Sequence, residues 1–283
     1  MSTLDHAFDR LAARHPRFSP SVTAPDYACE EIAGTGTLSL VDACRPESLR
    51  AAIEAGKRLF ALESDKHAAQ LWLYTLLGDI VAPSMTLMVE SEVFPVLDLG
   101  AGTLFKREPG GYWYGLRPSA QASDAFGVGA SLGRGLAPLV EALSECAGMR
   151  PAPLWAVVAD GFIQPLMGAG NQEFATSEAL GLACQVWAGL KKETAAPLPL
   201  PRFEQILDGE VLPIEGSGQL LDALRADVFD DLEFSGEQPE FIFSHRVSCC
   251  MIYHSPNAGL CTSCPHQDRE ERLAGLIAAA ESY

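Results

Sequence analysis

Four of the chain's eight cysteines, Cys249, Cys250, Cys261 and Cys264, are gathered in one stretch, RVSCCMIYHSPNAGLCTSCPHQ, running from Arg246 to Gln267. The spacing is C-C-x10-C-x2-C. Four thiolates at close quarters suit a structural zinc ion or an iron–sulfur cluster, both of which select soft sulfur ligands. The adjacent pair discriminates between them. An extended backbone sends neighbouring side chains to opposite faces, and zinc sites usually separate paired thiols by two to four residues, whereas a two-iron cluster need not be served from one point. A turn can bring adjacent cysteines onto one ion, so zinc stays open at this level. A thiol redox pair at Cys261 and Cys264 also stays open, although the β-α-β setting usual for such a pair is missing around it. Between the pairs, SPNAG supplies the turn residues that let the chain double back. Backbone N–H groups of AGLCTSC are expected to point at sulfurs, where such bonds help set a cluster's potential. His245, His254 and His266 lie close by. With four cysteines available none is needed as a ligand, and they are expected to be partly exposed polar residues.

The pattern resembles the C-terminal signature of the FhuF-type siderophore-iron reductases. There an arginine precedes the adjacent cysteines, ten residues separate them from the C-x-x-C pair, and a tyrosine and a proline lie between, as Arg246, Tyr253 and Pro256 do here. The resemblance is confined to this stretch. It implies that Cys249, Cys250, Cys261 and Cys264 hold a [2Fe–2S] cluster that passes single electrons to a ferric siderophore, with hydroxamates the favoured class, and releases Fe(II). The implied protein is a cytoplasmic oxidoreductase of iron acquisition, peripheral at most to the inner membrane. It would receive electrons from a donor such as a ferredoxin or flavin reductase and make transient contact with a siderophore transporter. Two other readings are kept: an iron–sulfur electron-transfer or sensor protein without a siderophore site, and a zinc-stapled interaction domain.

Other constellations are weaker. FGVGASLGRG carries Gly127, Gly129, Gly133 and Gly135, but the third glycine comes one residue late for a dinucleotide fingerprint. A loop with Ser131 capping the next helix is expected instead. GGYWYGLRP is an aromatic turn or strand. Tyr112, Trp113, Tyr114 and Arg117, with Arg246, are candidates for holding a bulky chelate by stacking and hydrogen bonds, against the alternative of ordinary strand residues with one aromatic in the core. Asp160 and Glu173, near Gln164 and Asn171, have no histidine or serine partner pattern, so a hydrolase is not supported. Cys29, Cys44, Cys146 and Cys184 are scattered singly, and Cys146 and Cys184 read as small buried hydrophobes.

The elements that must position these residues are mixed, and the fold class expected is α+β, with the resemblance implying helices around a mostly antiparallel sheet. RPESLRAAIEAGKRLFALE is a helix with Pro46 in its first turn and Leu49, Ile53, Leu59 and Phe60 on one face. Residues 66–81 form a more buried helix. Met85 to Trp113 reads as strands and turns. Helices return at 131–146, 154–167 and 177–191. AAPLPLP, 195–201, cannot be helix interior. An acidic helix, DALRADVFDDLE, and an apolar FIFSHRV lead into the cysteines. The closing helix, QDREERLAGLIAAAES, puts Leu273, Leu276 and Ile277 on one side, where they are expected to dock the cluster loop onto the body. The division drawn is a body, 1–240, carrying the ferric-siderophore site, and a cluster segment with its helix, 241–283.

The 283 residues carry a formal charge of −17, which disfavours nucleic acid and anionic lipid as non-specific partners. The first fifteen residues read as an amphipathic helix rather than a leader. QLWLYTLLGDIVAP is the strongest apolar run, shorter than the ~18 residues of a bilayer span and interrupted by Asp79.

Overall fold

A computed structural model of the chain describes residues 3–25, 37–108, 112–207, 210–214, 240–261 and 263–280. In chain order, α1 (Thr3–Arg14) and α2 (Ser19–Val22) precede β1 (Thr37–Leu38), α3 (Leu40–Ala43), α4 (Pro46–Phe60), α5 (Asp65–Ile80) and α6 (Ala82–Ser91). There follow β2 (Gly102–Lys106), β3 (Tyr114–Pro118), α7 (Ala125–Ala147), α8 (Pro151–Gln172) and α9 (Thr176–Thr194). Last come β4 (Phe203–Leu207), β5 (Glu210–Pro213), β6 (Phe241–Ser244) and α10 (Arg269–Ala280). The class is α+β. The strands form two small antiparallel sheets, ordered β1-β2-β3 and β5-β4-β6, beside a helical core.

That core is built from α5, α7, α8 and α9, whose apolar faces supply Leu73, Leu77, Leu136, Phe162, Leu166 and Trp187 to one continuous cluster. The glycines of FGVGASLGRG serve this packing. Asp124, not Ser131, caps the helix, accepting from the Gly127 N–H at 2.7 Å. Ser131 lies inside α7, where its hydroxyl accepts from the Leu97 N–H. A methyl on Gly129 would sit 2.0 Å from the Val186 carbonyl oxygen, and one on Gly189 equally close to that of Phe126. Here α7 and α9 meet backbone to backbone, and only glycine permits that approach.

Pro46 opens α4 and Leu49 and Ile53 are buried, but Leu59 is exposed. The strand texture expected from Met85 onward begins later, because 82–91 is helical: Pro83 is tolerated in the first turn, and buried Met85, Leu87 and Met88 suit helix as well as strand. DALRADVFDDLE and Cys29 fall outside the described residues. Residues 65–91, α5 and α6 together, are long and apolar enough by composition to cross a membrane, yet most of that stretch is buried within the fold. Asp79 accepts from Arg107 at 2.7 Å.

Candidate iron–sulfur site

The cysteine segment is bound to the helical body by polar side chains on α5 and α8. Asn171, buried at the end of α8, acts as a substitute strand: its amide nitrogen donates to the Ile242 carbonyl at 3.0 Å and its oxygen accepts from the Ile242 N–H at 2.9 Å. This fixes β6, whose other edge pairs with β4 from Phe203↔Ser244 to Ile206↔Phe241. Three helical turns toward the N-terminus, Asp160 accepts from the Val247 N–H, the Ser248 N–H at 2.8 Å and the Ser248 hydroxyl. Burial pushes the Asp160 carboxyl above the ordinary carboxylate range, against these bonds and the charge of Arg246. From α5, Gln70 donates to the Cys249 carbonyl at 2.6 Å. Three buried side chains far from the motif in sequence therefore hold the backbone that enters it.

The turn that follows the adjacent cysteines answers the steric problem of placing them together. Met251 takes a left-handed conformation, φ 64°, unfavourable for a side chain by about 1 kcal/mol and kept only where the surroundings require it. Its N–H donates to the Cys249 sulfur at 3.3 Å, and the Ile252 N–H donates to Cys250. The backbone N–H–sulfur bonds seen among the described residues thus come from just after the first pair, and none from the described part of AGLCTSC is seen. A short 3-10 turn, Ile252–His254, and a turn through Pro256 and Asn257 reverse the chain. The return brings the Cys261 thiol against Cys250, to which it donates, and Cys264 within electrostatic reach of Cys249 and Cys261. The shared proton drives Cys250 down to about 5, while the same bond and burial push Cys261 up. Cys249, Cys250 and Cys264 are buried, and Cys261 is half-buried at the rim.

Arg246 lies under this group. Its side chain is 1% exposed, Nη1 donates to the Cys261 sulfur at 3.2 Å, and Nε faces Asp160 Oδ2 at 3.8 Å. The guanidinium covers the Tyr74 ring at 4.8 Å. Among the described residues Nε and Nη2 make no hydrogen bond of ordinary geometry, although the guanidinium also stands within reach of the Cys250 thiol. Buried donors without partners cost about 1–3 kcal/mol each, and a buried cation beside converging sulfurs is matched to an anionic group. The residues present fit a thiolate-ligated iron–sulfur cluster: soft donors, an entry strand fixed by buried polar bonds, and a buried guanidinium with two donors left over. Among the described residues, no three histidines, cysteines or carboxylates are arranged about a single ion.

Of the residues expected to hold a chelate, only Trp113 and Arg246 lie near this region. Tyr112 and Tyr114 are buried in the core, where burial raises both phenols above their ordinary values. Arg117 is taken up by α1 and α2, donating to Asp9, to the Asp5 carbonyl and to the Val22 carbonyl. As β3 crosses the fold, alternate side chains turn inward, so an aromatic run cannot all face a ligand. His245 pairs with Glu204 at 2.7 Å, and His254 stacks on His67 at 3.8 Å. Cys184 is fully buried in the main core.

Residues 246–266 match the family model of the FhuF 2Fe-2S C-terminal domain. The chain thus carries a FhuF-type C-terminal domain, and the cofactor is a [2Fe–2S] cluster. No curated protein and no solved structure matches the chain.

Proposed function

We propose that the protein is a ferric-siderophore reductase in which Cys249, Cys250, Cys261 and Cys264 ligate the cluster and the body formed by residues 1–240 carries the chelate to it. The cluster, when bound, supplies a one-electron couple: its reduced form gives one electron to Fe(III), and the Fe(II) produced is held far less tightly by hard oxygen donors. The chain's own part is to hold the thiols convergent, to place a buried cation beside them, and to keep water from the buried side through Tyr74, Asp160 and Ser248. The observation that carries the reading is Arg246, buried with two donors unpaired among the described residues and a third on a cysteine sulfur, within a segment matched to a 2Fe–2S domain. The acidic chain favours uncharged hydroxamate chelates over polyanionic ones, and the reductive step, following uptake, places the work in the cytoplasm with a ferredoxin or flavin reductase as donor.

Anaerobic mixing of the reduced protein with a ferric tris-hydroxamate tests the reading. The expected result is return of the oxidised visible spectrum with one Fe(II) trapped per cluster. A cluster that stays reduced would leave an electron carrier or sensor in its place.

A further inference from the structure

A cleft of about 500 Å³ opens between α5 and α8. Its walls include Phe18, Tyr74, Trp113, Asp160, Gln164 and Gln172. Tyr74 and Asp160 thus belong both to the cleft wall and to the surroundings of Arg246, which in turn donates to the Cys261 sulfur. We propose that this cleft is where the ferric chelate of the reductase reading binds. The proposal rests on the reductase reading and gives it a place.

Two helical glycines point to a space that is kept open. Gly78 on α5 and Gly168 on α8 both line the cleft, and a Cβ on either would meet nothing within 4 Å. Glycine in a helix interior costs about 1 kcal/mol relative to alanine. At Gly129 and Gly189 close backbone contact accounts for that cost; at 78 and 168 no protein contact does. What a side chain there would fill is the cleft.

The lining also selects the ligand. Trp113 is half-buried and Tyr74 presents its ring, giving aromatic faces for a partly apolar chelate. Gln164 has an amide nitrogen with no acceptor among the described residues. Pro165 withdraws the N–H that the Gly161 carbonyl would otherwise accept, and both residues lie in the wall. These groups match the amides and alkyl linkers of hydroxamate siderophores. The carboxylates in the lining, Asp79 and Asp160, face Arg107 and Arg246, and the wall also holds Arg17, exposed over the Phe18 ring, so the charges around the cleft are close to balance, which suits an uncharged chelate.

A gallium(III) tris-hydroxamate, which cannot be reduced by the cluster, separates binding from electron transfer. Titrated into the holoprotein with tryptophan fluorescence as readout, it is expected to bind the wild type. Gly168→Phe, which fills the cleft from a position free of contacts, is expected to weaken binding by at least about tenfold, with the cluster spectrum and thermal midpoint unchanged. Trp113→Ala, which enlarges the cleft, should weaken it by roughly fivefold. If both variants bind the gallium chelate as the wild type does, while ferric chelate still reoxidises the cluster, the cleft assignment is overturned and the reductase reading stands. If the wild type neither binds the gallium chelate nor is reoxidised by the ferric one, both fall.

Discussion

Arg246 is the residue on which the electronic properties of the site should depend most. Reduction adds a negative charge to a group already surrounded by thiolates, and a buried cation 3.2 Å from one of the sulfurs stabilises the reduced state more than the oxidised one. Arg246→Gln should therefore lower the midpoint potential; for a one-electron couple a tenfold change in equilibrium corresponds to about 59 mV, and a shift of at least that size is expected in a titration followed by electron paramagnetic resonance. Arg246→Lys keeps the charge and should shift the potential less. A midpoint unmoved in the glutamine variant would show that the guanidinium serves packing alone. Arg246 and the cysteines were legible in the sequence because their spacing is local. Asp160, Gln70 and Asn171 were not, since each binds the segment across a separation of 71 residues or more. A signal for them existed all the same: Asp160 and Asn171 interrupt the apolar run of α8 on its core-facing side, and a buried polar side chain there must have a partner.

Among the elements, α5 and α8 act as the wall to which the cysteine segment is fastened, and two predictions test the fastening. Asn171→Ala removes both bonds to Ile242 and leaves a buried N–H and carbonyl unpaired, each costing about 1–3 kcal/mol; a chemical denaturation midpoint should fall accordingly, with loss of the cluster spectrum preceding loss of helical ellipticity. The second concerns pH. His67 on α5 stacks on His254 in the turn between the cysteine pairs, and burial, then the neighbouring imidazole, lowers its proton affinity below the ordinary value. A histidine lowered in the folded state binds protons more readily when unfolded, so stability is full above about pH 6.5 and is lost as pH falls through that value toward the lowered one. Thermal midpoints taken between neutral and mildly acidic pH should show this slope, and His67→Phe should flatten it; an equal slope in both proteins would assign the acid sensitivity elsewhere. Legibility at this scale was uneven. Helix periodicity marked α4, α5, α8 and α9, but the closing helix packs elsewhere than expected: Leu276 and Ile277 lie with Ile206, Val211 and Phe243 on the second sheet, not on the cluster loop. An amphipathic pattern shows that a face is buried but not what covers it.

At the scale of the whole molecule the dominant quantity is the charge of −17. Its field acts before any contact is made, and over a range set by salt: the screening length is about 30 Å at 0.01 M and about 8 Å at 0.15 M. An uncharged ferric tris-hydroxamate approaches such a surface without electrostatic penalty. A ferric tris-catecholate, with three negative charges, is repelled during encounter, and repulsion is what added salt removes. Second-order rates of cluster reoxidation measured across that salt range should therefore be nearly flat for the neutral chelate and should rise for the anionic one, remaining slower throughout. The composition makes the sign of this effect readable without a structure; its size depends on how completely Arg17, Arg107 and Arg246 offset Asp79 and Asp160 at the cleft. A catecholate rate that falls with salt would mean that the local field at the cleft opposes that of the whole chain, and the preference for an uncharged substrate would then have to come from shape rather than charge.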